Sequence, residues 1–228
     1  LILYIEKWFK NKINTVLKSL IDLKDLKEKN SSVKALAYQL YENNGVLKRD
    51  QVSEYLKDLG QSERKILRGL GVKFGRYHVF LHRLIKPEAV SLRTLLWKNY
   101  HQKYFNLKPP TFGLNFLKDN DIKNKNFMLL CGFEKFDVFF VRIDILERLF
   151  MQIINSTKEI KLIPDMLNLL GCDKENFKKL LQCMDYKIIN KDDEIFFRYN
   201  PKKSKKKIFD KKIKKESPFG ILKNLNFN

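Results

Sequence analysis

The sequence predicts a mainly α chain: an N-terminal helical domain, then a small α+β domain, then a basic tail. Three observations carry that expectation. Apolar residues recur at helical spacing from the start of the chain to about Tyr104. β-Branched and aromatic residues gather instead at 136–143 and again between 187 and 199. Beyond Pro201 lysine replaces almost everything apolar. With 228 residues and 44% hydrophobic content, the chain has enough apolar surface for one large core or two small ones.

Leu1–Lys29 reads as one long amphipathic helix, with Ile5, Trp8, Phe9, Ile13, Val16, Leu17, Leu20 and Leu23 on its apolar face. Asn30-Ser31-Ser32 breaks it and caps the next. That helix, Val33–Asn43, turns Leu36, Ala37, Leu40 and Tyr41 inward and stops at Asn44-Gly45. Arg49–Leu59 and Gln61–Leu70 follow as helices, the latter carrying Ile66 and Leu67. The stretch 69–97 is the most distinctive in the chain. Gly69, Gly71 and Gly75 hinge a dense apolar patch of Val72, Phe74, Tyr77, Val79, Phe80 and Leu81. Lys73, Arg76, His78, His82, Arg83 and Lys86 are interleaved with it. Lys86-Pro87-Glu88 then opens a helix with proline in its first turn, carrying Val90, Leu92, Leu95, Leu96 and Trp97 inward.

Pro109-Pro110 and the polar run 118–126 place a boundary, so the expected divisions are 1–107, a linker at 108–126, a second domain at 127–200 and a tail at 201–228. In the second domain a short helix covers 126–133 and a strand covers 136–143. Helix 144–156, strand 160–163, helix 164–170 stopped by Gly171, helix 174–186 capped by Asp173, and a hairpin around 190–193 complete it. Helix, strand, helix, tight turn, helix and hairpin is the order of a winged helix-turn-helix. In its last helix Phe177, Leu180, Leu181 and Met184 face inward, leaving Lys174, Lys178 and Gln182 on the opposite side as candidate nucleic-acid contacts.

The formal net charge of +20 points to polyanionic partners, nucleic acid before membrane. Candidate contacts are Lys73, Arg76 and Arg83 in the glycine-hinged stretch, where cations beside aromatics suit a single strand. The tail adds Lys202, Lys203, Lys205, Lys206, Lys207, Lys211, Lys212, Lys214 and Lys215, a run expected to be disordered and to bind phosphates without regard to sequence. Ser217–Phe227 regains apolar residues and is expected to dock as a short helix. Cys131, Cys172 and Cys183 form no C-x-x-C pair, which argues against a disulfide scaffold or a zinc site and suits a reducing compartment. No apolar run reaches the roughly 18–20 residues of a membrane span. The chain opens on Leu1 inside a helical pattern, so the expectation is that the true N-terminus lies upstream.

Catalytic hardware is not legible. There is no G-x-x-x-x-G-K-[ST] loop, and Asp192-Asp193-Glu194 falls in a hairpin turn rather than at the end of a buried strand. His78 and His82 share a spacing of four, but neither a glutamate between them nor a third ligand follows, and a surface-facing role is expected instead. Glu147 with Arg148, and Asp144 with Arg142, read as helix-surface charges. No cofactor is expected in this chain.

LGVKFGRYHVFLHRLIKPEAVSLRTLLW (70–97), VRIDILERL (141–149), IPDMLNLLGCDKENFKKLLQCMDYKI (163–188) and SPFGILKNL (217–225) resemble, in that order, the region after the motor in DExH-type superfamily 2 RNA helicases. The resemblance is to the mitochondrial degradosome RNA helicase and its alphaproteobacterial relatives; His82 stands where a proline would be expected. It implies an accessory region that engages RNA, with an ATP- and Mg-dependent motor upstream and a role in RNA turnover. It implies a bacterial cytoplasmic location, or alternatively the mitochondrial matrix. The partners implied are RNA and the motor domains of the same chain, without membrane. The alternatives are a free-standing winged-helix nucleic-acid-binding protein, or an adaptor whose tail recruits a nuclease or the ribosome.

Overall fold

The computed structural model describes residues 1–27, 30–118, 124–154, 159–191 and 194–201. The N-terminal helix is broken at Leu17 into α1 (Ile2–Val16) and α2 (Lys18–Lys24). The apolar face expected on it is only half used. Leu17, Leu20 and Leu23 are buried, whereas Ile5 and Trp8 remain about half exposed (51% and 56%) and α1 buries no residue fully.

A compact unit follows: α3 (Ser31–Glu42), β1 (Val46–Lys48), a 3-10 turn at Asp50–Val52, α4 (Ser53–Asp58), α5 (Gln61–Gly69), β2 (Val72–Phe74) and β3 (His78–Leu81). Asn30 caps α3 by accepting from the amides of Ser32 and Val33, as its position before the apolar run predicted. Gly45 has φ +79°, and a Cβ there would stand 2.4 Å from Leu84 Cδ1, so both conformation and space ask for glycine. The strands were not expected in what reads as a helical domain. β1 and β2 have three residues each, and all four positions of β3 are buried, so no alternation marks them. The glycine-hinged stretch is therefore a β-hairpin, and Gly75 sits at its turn.

The middle unit comprises α6 (Pro87–Tyr100), β4 (Phe116–Lys118), α7 (Lys125–Leu130), β5 (Phe133–Phe136) and β6 (Phe139–Arg142). Proline opens α6 as expected, but Leu95 faces outward and is 52% exposed. Strand β4 lies within the stretch expected to be a linker and pairs with β6. The strand expected at 136–143 is β6 over Phe139–Arg142, and the first residues of that stretch form the turn of a hairpin, since Phe136 pairs with Phe139. The last unit is α8 (Ile143–Ile153), β7 (Ile160–Lys161), α9 (Pro164–Leu170), α10 (Lys174–Cys183), β8 (Tyr186–Lys191) and β9 (Glu194–Tyr199). Its element order follows the sequence expectation. Gly171 ends α9 at φ +69°, and Asp173 accepts from the amide of Asn176 to begin α10. Ile154, expected inside, is 44% exposed just past α8.

One plan recurs in all of this. Each unit has a three-stranded antiparallel sheet, and in each the strand third in sequence lies in the centre: β1-β3-β2, β4-β6-β5 and β7-β9-β8. The first and last units share the full order helix, strand, helix, helix, hairpin. The middle unit repeats it with one fewer helix among the described residues. Each unit has its own core. A fourth cluster, Val46, Phe80, Ile85 and Ile143 with Leu129 against it, joins all three. Gly132 permits this contact, because a Cβ there would meet Ile85 Cγ2 at 2.9 Å. Arg93 on α6 is also buried here, donating to the carbonyls of Asn44 and Leu84; burial pulls its pKa down to about 10.

Phe177 is fully buried in the last unit's core. Phe177→Ala is expected to lower stability by about 3–5 kcal/mol, read as an earlier urea midpoint. Proteolysis that opens residues 143–199 before 31–81 would locate the loss in that unit.

Candidate nucleic-acid interface

The hairpin between β2 and β3 turns at residues 75–77, closed by the Gly75 amide donating to His78 O at 2.8 Å. Its next three amides point at one carboxylate. Arg76, Tyr77 and His78 donate their backbone N–H groups to Glu147, which reaches over from α8 in the last unit. Successive amides around a carboxylate make an anion nest. Gly75 has to be glycine for this to happen: a Cβ would stand 2.3 Å from the Glu147 carboxyl carbon.

His78 completes the arrangement. Its Nδ1 lies 3.0 Å from Glu147 Oε1 and its Nε2 lies 3.2 Å from Glu134 Oε2 on β5. Both ring nitrogens thus face carboxylate oxygens, an arrangement in which both donate when the ring is imidazolium. Lys48 Nζ adds a contact to Glu134 Oε1 at 2.6 Å. The cluster links β1, β3, β5 and α8, hence all three units. Burial alone would push the His78 pKa down. The hydrogen bonds and charges of Glu134 and Glu147 outweigh burial and raise it. Burial works against ionised Glu134 too, but the hydrogen bonds from His78 and Lys48 hold its pKa below the usual range.

These positions correct the sequence expectations. His78 is 2% exposed, not surface-facing, and lies on a strand rather than on a helix with His82. Glu147 is 5% exposed, not a helix-surface charge. Only long-range pairing could reveal either fact.

Beside the clamp the units leave a cleft of about 580 Å³. Lys48, Arg49, Arg76 and Lys135 bring positive charge to it, while Tyr77, Phe136, Leu146 and Met184 supply apolar walls. Arg49 is anchored to the same turn: its backbone N–H donates to Tyr77 O at 2.8 Å and its Nη1 to Gly75 O at 2.6 Å. Burial lowers its pKa, and repulsion from Arg64 and Arg76 adds to that. The Arg76 guanidinium lies 6.0 Å from the Tyr77 ring centre and 5.8 Å from that of Tyr199. Beyond Arg76 a smaller hollow of about 330 Å³ runs between Tyr186, Arg198 and Tyr199.

Among the candidates named from sequence, Arg76 alone lines this cleft. Lys73 is exposed on β2. Arg83 is exposed by a separate hollow between α1 and α6, beside Trp8 and Lys86. On α10, Lys174 and Gln182 are exposed, and Lys178 pairs with Glu175 at 2.9 Å. Lys202, Lys203, Lys205, Lys206, Lys207, Lys211 and Lys212 lie outside the described residues, as does the expected terminal helix. Arg49, Arg198 and Tyr199 were missed. The Lys48-Arg49 doublet after the Gly45 turn was their only local signal. No helix among the described residues is long and apolar enough to cross a membrane. Comparison with known proteins found no matching family model, curated protein or solved structure.

Glu147→Ala would leave His78 and the three amides without their buried partner, and is expected to cost about 3–5 kcal/mol in a urea titration. Gly75→Ala should lose a similar amount by displacing the same carboxylate. The cluster also sets a pH window. His78 has a raised folded pKa, so its contribution is whole below the free value of 6.5 and lost as pH rises through the folded one. Glu134 has a lowered folded pKa, so its contribution is present above 4.5 and lost as pH falls through the folded one. Stability should therefore peak between those limits and decline on both sides, and His78→Gln should flatten the alkaline decline.

Proposed function

We propose that this chain is an RNA-engaging accessory region of an ATP-dependent RNA helicase whose motor lies elsewhere in the polypeptide. The observation that carries this reading is the cleft between the units. No ion pair among the described residues includes Arg49 or Arg76, though both line it. Guanidinium groups beside tyrosine rings are the chemistry that holds a single strand by backbone charge and base stacking. The net charge of +20 adds sequence-blind attraction. The resemblance of 70–97, 141–149, 163–188 and 217–225 to post-motor regions supplies the helicase context, and the sequence contains no phosphate-cradling loop of its own.

The first and last units are winged helices on this reading, which their helix–strand–helix–helix–hairpin order and central third strand support. Their wings would have different tasks. The β2–β3 turn is occupied by Glu147 and serves packing. The β8–β9 hairpin carries exposed Arg198 and Tyr199 toward the cleft side, next to Arg76.

The full chain is expected to bind a fluorescein-labelled single-stranded RNA by anisotropy, with affinity falling steeply between about 50 and 200 mM salt. Removing 201–228, which deletes nine clustered lysines at 202–215, should weaken binding and reduce the salt slope by about 0.7 for each phosphate no longer neutralised. RNA-stimulated ATP turnover by this chain alone, or a strong preference for one duplex DNA sequence, would refute the reading.

A further inference from the structure

We propose that the cleft between the units is a nucleoside-phosphate site, with Arg49 and Arg76 as the phosphate ligands and Tyr77, Phe136 and Met184 as the seat for the base. This rests on the reading of the chain as one that engages nucleic acid, and it names the place and the unit of recognition.

The space is appropriate. At about 580 Å³ the cleft falls within the roughly 300–1,000 Å³ of small-molecule sites. It is walled by three units, so its shape is set by the packing between them and not by one loop. Both arginines are tied to the same turn before any ligand arrives. Arg49 is tethered to the carbonyl of Gly75, which positions the guanidinium without neutralising it. Arg76 is held through its own backbone, because its amide is one of the three gripping Glu147. Two guanidinium groups lining one cleft repel each other; burial first, then Arg64 and Arg76, lower the Arg49 pKa, and Glu147 offsets that repulsion only in part. A phosphate relieves it, and arginine matches phosphate geometry through paired N–H donors.

The other charged groups narrow the choice. Lys48 is committed to Glu134, so it adds little free charge. Lys135 lies over the Phe140 ring. Asp50 and Glu134 bring carboxylates to the same cleft and repel a phosphate from their side. Arg49 and Arg76 are thereby left as the groups for the phosphate, and the aromatic and thioether surface of Tyr77, Phe136 and Met184 for the base. The exposed Tyr199 ring lies 5.8 Å from the Arg76 guanidinium, so a strand has a second stacking surface nearby. A free mononucleotide and one residue of a strand share this chemistry, and the two sources separate by experiment.

The full chain is titrated by calorimetry with uridine 5′-monophosphate, uridine, and inorganic phosphate, and by anisotropy with a labelled ten-residue oligouridylate. Arg76→Ala and Arg49→Gln are compared with Lys34→Ala, an exposed change on α3, and melting temperatures verify folding. The expected result is a roughly tenfold or greater loss of monophosphate affinity in both arginine variants, no loss in Lys34→Ala, and weaker binding of uridine and of phosphate alone. Parallel loss of oligouridylate affinity identifies a strand as the source; monophosphate binding without oligouridylate binding keeps the site but sinks the RNA reading. Oligouridylate binding unchanged in both arginine variants overturns the site while leaving the RNA reading intact. Inorganic phosphate binding as tightly as the monophosphate overturns the base seat. Absence of all binding overturns both.

Discussion

The whole molecule depends on one carboxylate in one turn. Glu147 leaves its own helix to fill a nest formed by the amides of Arg76, Tyr77 and His78 in a unit some seventy residues earlier. Removing a carboxylate from water is expensive, and only a dense set of donors makes it tolerable. Here the set is complete: three amides and one imidazole nitrogen on Glu147, the other imidazole nitrogen and Lys48 on Glu134. An apolar contact of similar size would be more forgiving of small shifts. A polar cluster of this kind is not, because each donor left unmatched carries its own desolvation penalty. It therefore fixes the relative placement of three small units whose separate cores would not.

That placement has a chemical consequence. A β-hairpin turn is ordinarily free to move, and an arginine at its tip would sample many directions. With Glu147 seated, the backbone of Arg76 is immobilised from the inside while its side chain projects outward between Tyr77 and Tyr199. Arg49 is drawn to the other side of the same turn through Gly75 and Tyr77 carbonyls. So the interaction that joins the units also positions the two cations at their shared cleft. Fold and site are not independent features, and a variant that loosens the clamp is expected to blur the cleft before it unfolds the chain.

How much of this could be read from the sequence depended on how local the causes were. The last unit was legible because its signals are short-range. Pro164, Gly171 and Asp173 mark helix ends by backbone geometry and capping, and a helix face of Phe177, Leu180 and Leu181 needs no distant partner to be recognised. The first unit's sheet was hidden for the opposite reason. His78-Val79-Phe80-Leu81 is buried on both faces, which erases the alternation that distinguishes a strand. At 136–143 the β content was recognised but not the turn inside it, since Asp137-Val138 lacks glycine or proline. The clamp was illegible in principle: Glu147 reads as one more charged residue on an amphipathic helix until the turn that receives it is in place. Gly75 was noticed as a hinge, and its real reason, a carboxylate where a side chain would be, lies on another element.

The charge of the chain divides along chemical lines. Several lysines sit in solvent-facing ion pairs: Lys18 with Asp22, Lys178 with Glu175, Lys161 with Glu194, and Lys191 with Glu159. Such pairs contribute little to stability, and they neutralise only a few of the lysines, so the net charge of +20 stands. Arginines are used where a planar, multidentate group must sit in a defined place. Arg64 donates to the carbonyls of Leu56 and Leu59, Arg93 to those of Asn44 and Leu84, and Arg142 to Asp144. Arg64 and Arg68 also flank the Phe74 ring. Arg49 follows that pattern through the Gly75 carbonyl, whereas Arg76 is held by its backbone amide and leaves its guanidinium exposed beside Tyr77 and Tyr199. A lysine-rich composition alone would explain a high net charge. It does not by itself bring Arg49 and Arg76 to one cleft; the turn that Glu147 holds does.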